Sequence, residues 1–76
     1  MNLSSIADAF NTEISGRANC TASIERKNLV IRRFDGEKMI IMGPDGFIAI
    51  MPGNRRRRAA KRLIFELRYR YEHVKL

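Results

Sequence analysis

The chain has 76 residues, an apolar fraction of 45% and a formal net charge of +7. That length allows one small domain over residues 1–76 burying roughly 60% of its unfolded surface, and the apolar content is too high for a disordered chain. A lone cysteine, Cys20, excludes an internal disulfide, and the longest apolar runs, Met39 to Met42 and Phe47 to Met51, are too short to span a bilayer.

No basic region followed by an apolar run occupies Met1 to Ser15, so no secretory signal is expected and the reading is a soluble, cytoplasmic protein. The charge is unevenly placed. Residues 1–24 carry −1, residues 25–54 carry +1, and the last 22 residues carry +7, from nine basic side chains against Glu66 and Glu72. Such asymmetry points to an anionic partner for one segment.

In chain order, Leu3, Ile6, Ala7, Phe10 and Ile14 recur at helical spacing and predict a helix over about residues 4–15. Ser4 or Ser5 can cap its start, Ser5 and Asp8 having the spacing of a capping box, and Gly16 is placed to stop it. Arg17 to Asn19 reads as a connector. From Cys20 the period falls to two, with Cys20, Ala22 and Ile24 alternating against Thr21, Ser23 and Glu25. Lys27-Asn28 reads as a tight turn before the β-branched and aromatic run Leu29 to Phe34. Asp35-Gly36 is a strong hairpin signal, Met39 to Met42 is the return strand, and Gly43-Pro44-Asp45-Gly46 turns the chain into Phe47 to Met51.

The expected fold class is therefore α+β: an N-terminal helix, a three- to four-stranded antiparallel meander, and a long basic amphipathic C-terminal helix packed on the sheet. A two-residue turn at Asp35-Gly36 sets Phe34 opposite Glu37 and Val30 opposite Ile41. Val30, Phe34, Met39 and Ile41 then share one face, and Leu29, Ile31, Ile40 and Met42 the other. A sheet apolar on both faces needs both covered. Either the helices lie on opposite faces, or they share one and the second is buried in a homodimer, the favoured arrangement for so small a domain.

Asn54 is a favourable N-cap for the last helix. Beyond it Ala60, Leu63, Ile64, Leu67, Tyr71 and Val74 fall within an arc of roughly 100°, the stripe of a helix docked on a sheet. The opposite face carries Arg55, Arg58, Arg62, Phe65, Tyr69 and His73, with Arg57, Lys61, Arg68 and Lys75 flanking it. Cations interleaved with aromatics suit nucleic acid, since cations hold phosphates and rings stack on bases. Four arginines at a helix start oppose the macrodipole at about 0.3 to 1 kcal/mol each. A phosphate reverses that penalty by meeting free backbone N–H groups and guanidinium forks together. The candidate contacts are Arg55, Arg56, Arg57, Arg58, Lys61 and Arg62, with Phe65 and Tyr69 as stacking rings.

Arg57-Arg58-Ala59-Ala60-Lys61 resembles the basic start of the last helix in double-stranded-RNA-binding domains, and the order helix, antiparallel strands, helix is also similar. The resemblance implies that Arg57, Arg58 and Lys61 straddle phosphates across a groove. It covers a short segment, and the family's loop of glycine, proline and histidine is not matched, since Gly43-Pro44-Asp45-Gly46 lacks the histidine and lies too late.

Nothing in the sequence carries an enzyme's chemistry. His73 and Cys20 supply at most two soft metal ligands, no glycine-rich phosphate loop or nucleophile elbow occurs, and Asp8, Asp35 and Asp45 read as helix-start and turn residues. No catalyst, metal or cofactor is expected. The leading expectation is a small non-enzymatic protein that binds nucleic acid, DNA or RNA. The alternative is an interaction module, of the size of small phage-encoded inhibitors, docking on an acidic surface of a nucleic-acid-processing complex. Peripheral binding to lipid ranks last, because the aromatics lie on the basic face and the apolar stripe is reserved for the sheet.

Overall fold

The computed structural model describes residues 2–71. His73, Val74 and Lys75, placed on the last helix from sequence, lie outside the described residues. The element order is α1 (Leu3–Glu13), α2 (Ser15–Ala18), β1 (Cys20–Glu25), β2 (Asn28–Arg33), β3 (Lys38–Met42), β4 (Ile48–Ile50) and α3 (Arg57–Arg70). The four strands form one antiparallel sheet in the order β1-β2-β3-β4, which is the expected α+β meander between two helices.

α1 starts earlier than Ser4 or Ser5 would place it. Asn2 is the cap, its Oδ1 accepting from the Ser5 N–H at 3.2 Å. Gly16 does not stop the helix either. It lies inside the short α2, and Asn19 ends that turn in the left-handed conformation at φ 55°. Asparagine tolerates this geometry better than most residues with a Cβ, so the connector expected at Arg17 to Asn19 is mostly helical.

The first hairpin turns one residue before Lys27-Asn28. Glu25 pairs with Asn28, and Arg26 and Lys27 both take positive φ, 51° and 67°. Two-residue turns of this kind match the strand twist but favour Asn and Gly.

The two later hairpins share one design. In Arg33–Glu37 and Gly43–Phe47 the first residue's N–H donates to the carbonyl of the last, at 2.8 and 3.0 Å. In each, the glycine N–H closes a turn onto the first carbonyl and the glycine sits near φ 90°, at 96° for Gly36 and 91° for Gly46. Asp35 and Asp45 each accept from the N–H two residues on, at 3.0 and 3.2 Å. Such an aspartate rigidifies the turn by imitating a backbone carbonyl.

This three-residue loop overturns the expected pairing of Phe34 with Glu37, because Arg33 now opposes Glu37. Val30 still pairs with Ile41, since the register shifts between Ile31 and Arg32 and absorbs the extra residue. A bulge there re-aims Met39. Met39 is fully buried in the core with Ile31 and Ile40, and Phe34 stands 65% exposed at the turn, so neither belongs with Val30 and Ile41.

Both helices cover the same face of the sheet. Leu3, Ile6, Ala7 and Phe10 of α1 and Ala60, Leu63, Ile64 and Leu67 of α3 join one core with Leu29, Ile31, Ile40 and Met42. α1 packs on β1 and β2, and α3 on β3 and β4. The other face presents Thr21, Ser23, Val30, Ile41 and Ala49, of which Val30 is buried and Thr21, Ser23 and Ala49 are exposed. Removal of Met39 and Phe34 leaves that face much less apolar than the sequence pattern implied.

Candidate nucleic-acid interface

The start of α3 differs from expectation. Asn54 is not its cap. Its buried side chain lies before the helix, with Nδ2 donating to the Lys38 carbonyl at 3.0 Å and Oδ1 accepting from the Arg56 N–H at 2.7 Å. The loop is thereby fixed to β3, and the cap position falls to Arg56, which makes no side-chain capping bond. Arg55 therefore lies outside the helix. Its N–H donates to Glu37 Oε1 at 3.1 Å, and Arg56 Nε stands 3.5 Å from Glu37 Oε2. A carboxylate from the β2–β3 hairpin is thus already placed against this end, where the positive pole of the dipole favours it. Glu37 occupies the helix N-terminus where a phosphate was expected, and the cations without an ion pair among the described residues lie further along α3.

From Arg57 onward the pattern holds as read. Ala60, Leu63, Ile64 and Leu67 are buried, Tyr71 packs half-buried as the C-cap residue, and Arg58, Arg62, Phe65 and Tyr69 face outward. Phe65 is 71% exposed and Tyr69 92% exposed. No core needs these rings there, and their exposure costs the fold hydrophobic burial it could have had.

The outer face forms a ridge between two open cavities. On the β4 side a cavity of about 520 Å³ is walled by Arg57, Lys61, Phe65 and Arg68 over Ile50 and Ile64. Toward α2 and the β2–β3 hairpin a second, of about 530 Å³, is walled by Arg17, Arg33, Arg58 and Arg62, with Glu66 at its border. The Arg57–Lys61 segment thus places Arg57 and Lys61 on one slope and Arg58 on the other.

Ion pairing separates structural from free cations. Arg17 and Arg70 both pair with Glu66, and Arg70 also reaches Glu13 at 2.8 Å, tying α3 to α1 and α2. Arg32 grips Glu25 through two bonds of 2.9 and 3.0 Å on the open sheet face, and this hydrogen-bonded guanidinium lowers the Glu25 carboxyl to about 2. By contrast, the side chains of Arg55, Arg57, Arg58, Lys61, Arg62 and Arg68 make no ion pair among the described residues. Of the cations chosen from sequence, only Arg56 has a side-chain ion pair among the described residues, while Arg55 meets Glu37 through its backbone N–H alone.

Arg17 and Arg33 were not foreseen. Arg17 was hidden by reading Gly16 as a helix stop. A signal for Arg33 was present, because Leu29, Ile31 and Arg33 alternate onto the core side of β2, and an arginine in that phase is unusual. Among the described residues no group of three or more His, Cys, Asp or Glu side chains gathers to hold a metal. No helix among them is long and apolar enough to cross a membrane. No family model, curated protein or solved structure matches the chain.

Proposed function

We propose that the chain is a non-enzymatic nucleic-acid-binding protein that holds a phosphate backbone along the outer face of α3. The supporting observation is the alternation of unpaired cations with exposed rings: Arg57, Arg58, Lys61 and Arg62 have no carboxylate partner among the described residues, and Phe65 and Tyr69 stand out between and beyond them. Like charges gathered on a helix repel one another, and phosphates relieve that repulsion while releasing counterions. The rings supply base stacking without sequence preference, so single-stranded DNA or RNA is the favoured form. Arg58→Glu with Arg62→Glu abolishes the gel shift of a single-stranded oligonucleotide while leaving the fold intact. Tight binding that survives this double change removes the reading.

A second reading has its own observation. The cavity on the β4 side has an apolar floor at Ala49, Ile50 and Ile64, a cationic rim, and the edge strand β4 beside it. An extended acidic peptide could add to such an edge. Capture of a protein partner that persists after nuclease digestion favours this reading, and loss of every partner on digestion counts against it. The homodimer expected from the sequence would have to form through Ile41 and Ala49 on the open sheet face, and gel filtration at the mass of one chain removes it.

A further inference from the structure

Arg33 occupies a position that β2 normally gives to an apolar side chain. It pairs across the sheet with Cys20 and points to the side of Leu29 and Ile31. Its Nε is buried and has no hydrogen-bond partner among the described residues. The nearest carboxylate oxygen, Asp35 Oδ2, lies 3.5 Å away, beyond a good hydrogen bond. A buried, unsatisfied donor on a charged group is costly unless something not yet bound completes it.

That nitrogen belongs to a side chain lining the cavity between α2, the β2–β3 hairpin and α3. Arg17, Arg33, Arg58 and Arg62 come there from three elements, α2, β2 and α3, and neutral side chains, among them Cys20, Met39 and Leu63, line the space between them. Burial raises the Cys20 thiol above its ordinary value, against the opposing pull of Arg33, so no thiolate offsets the cations. Among the described residues Glu66 is the only acid on this lining, and it is held by Arg17 and Arg70. Arg33 is paired with Asp35 across 3.5 Å, which leaves its Nε short of a hydrogen bond, and Arg58 and Arg62 make no ion pair among the described residues.

We propose that this cavity seats a terminal phosphate group, that of a nucleic-acid strand end or of a free nucleotide, on Arg33, Arg58 and Arg62 with Arg17 beside them. The inference rests on nucleic-acid binding by α3 for its strand-end form, and names the part of the strand that is held. A phosphate monoester carries about −1.5 to −2 at pH 7 and exposes three acceptor oxygens, against a single charge on a diester. Three guanidinium forks match the monoester, and a half-enclosed cavity admits an end more readily than the middle of a strand. Its chemistry would be binding alone, with no bond made or broken.

The test compares one short single-stranded oligodeoxynucleotide carrying either a 5′-phosphate, a 3′-phosphate or hydroxyl ends, by fluorescence anisotropy. A companion titration follows the arginine Nε–H signals of the unaltered chain as adenosine monophosphate or inorganic phosphate is added. Expected is binding at least about tenfold tighter for one phosphorylated end, the gain of a charge-assisted hydrogen bond. Arg33→Gln removes that preference but leaves the hydroxyl-ended strand bound as before, and Arg33→Lys keeps part of it. The Arg33 Nε–H signal shifts on addition of adenosine monophosphate; a shift without any end preference assigns the seat to free nucleotides. Equal binding of all ends together with no shift of Arg33 overturns the proposal while leaving the α3 reading in place. A shift of Arg33 with no oligonucleotide bound at all keeps the phosphate seat and removes the α3 reading. The titration needs no substitution, so it decides the matter even where Arg33→Gln does not fold.

Discussion

α1 and α3 lie on the same face of the same sheet and each buries a stripe of four residues at helical spacing, yet their polar sides are used in opposite ways. Two polar side chains of α1, those of Asn11 and Glu13, turn back into the fold. Asn11 accepts from the Ala22 N–H at 2.8 Å and donates to its carbonyl at 2.9 Å, occupying the free edge of β1 as another strand would. Glu13 reaches Arg70 on α3. On α3 only Glu66 and Arg70 serve the fold in that way, while Arg58, Lys61, Arg62, Phe65 and Tyr69 face solvent. A helix needed only for packing resembles α1, whose polar side chains Asn11 and Glu13 are assigned to neighbouring elements. The proposed binding of a partner outside the chain rests on this contrast: cations that make no ion pair among the described residues stand beside exposed rings.

The two helices should differ most in binding. Arg58→Glu with Arg62→Glu should lower oligonucleotide affinity by about 100-fold or more, since two cationic contacts become repulsions. The same substitutions should leave stability unchanged or slightly raised, because acids in the first turns favour the macrodipole. Thermal unfolding and anisotropy on one sample separate the two effects. Equal losses of stability and binding would place these arginines in the fold.

Next in size are changes on the packing side. Phe10→Ala should cost about 3 to 5 kcal/mol, measured by urea unfolding, because the ring is fully buried between α1 and the sheet. Asn11→Ala should cost about 1 to 3 kcal/mol, leaving the Ala22 backbone groups without partners at a part-buried edge. Neither should alter the salt dependence of oligonucleotide binding while the chain remains folded. The smallest expected gain is at the first turn. Arg26→Asn with Lys27→Gly should stabilise by roughly 1 kcal/mol, because both positions take positive φ, which those residues adopt more easily.

A pH titration probes the sheet separately. The Arg32 hydrogen bonds lower the Glu25 carboxyl to about 2 from an ordinary 4.5. A lowered carboxylate contributes stability that is fully present above the ordinary value and is lost as pH falls through the folded one. Any contribution of this exposed pair should therefore fade between about pH 4.5 and pH 2, and Glu25→Gln should remove that slope. A parent and a variant with the same acid dependence would show that the pair adds nothing.

Much of this was legible beforehand, and for identifiable reasons. The apolar stripes of α1 and α3 were readable because helical periodicity survives an error of two residues at either end. Both Asp-Gly turns were readable because glycine near φ 90° is a local demand. What escaped was whatever depended on one residue of register. The three-residue loop at Phe34-Asp35-Gly36 and the shift beside Ile31 cancel along β2, so Val30 still meets Ile41 while Met39 moves into the core. Asn54 reads as a cap because asparagine after Pro52 and Gly53 is a favoured N-cap, and its side chain does accept a backbone N–H, but that of Arg56 ahead of the helix. Glu37 at the start of α3 was beyond reach, being a contact between segments 18 residues apart. Arg33 beside Arg58 and Arg62 is likewise a product of topology.

The most direct test of the account is the salt dependence of oligonucleotide affinity for the parent chain and for Arg58→Glu/Arg62→Glu. If Arg57, Arg58, Lys61 and Arg62 each meet one phosphate of a single strand, log affinity should fall against log salt with a slope of about −3. The double variant should flatten that slope by more than about 1. Affinity that ignores salt, or a variant whose slope equals the parent's, would contradict phosphate binding along α3.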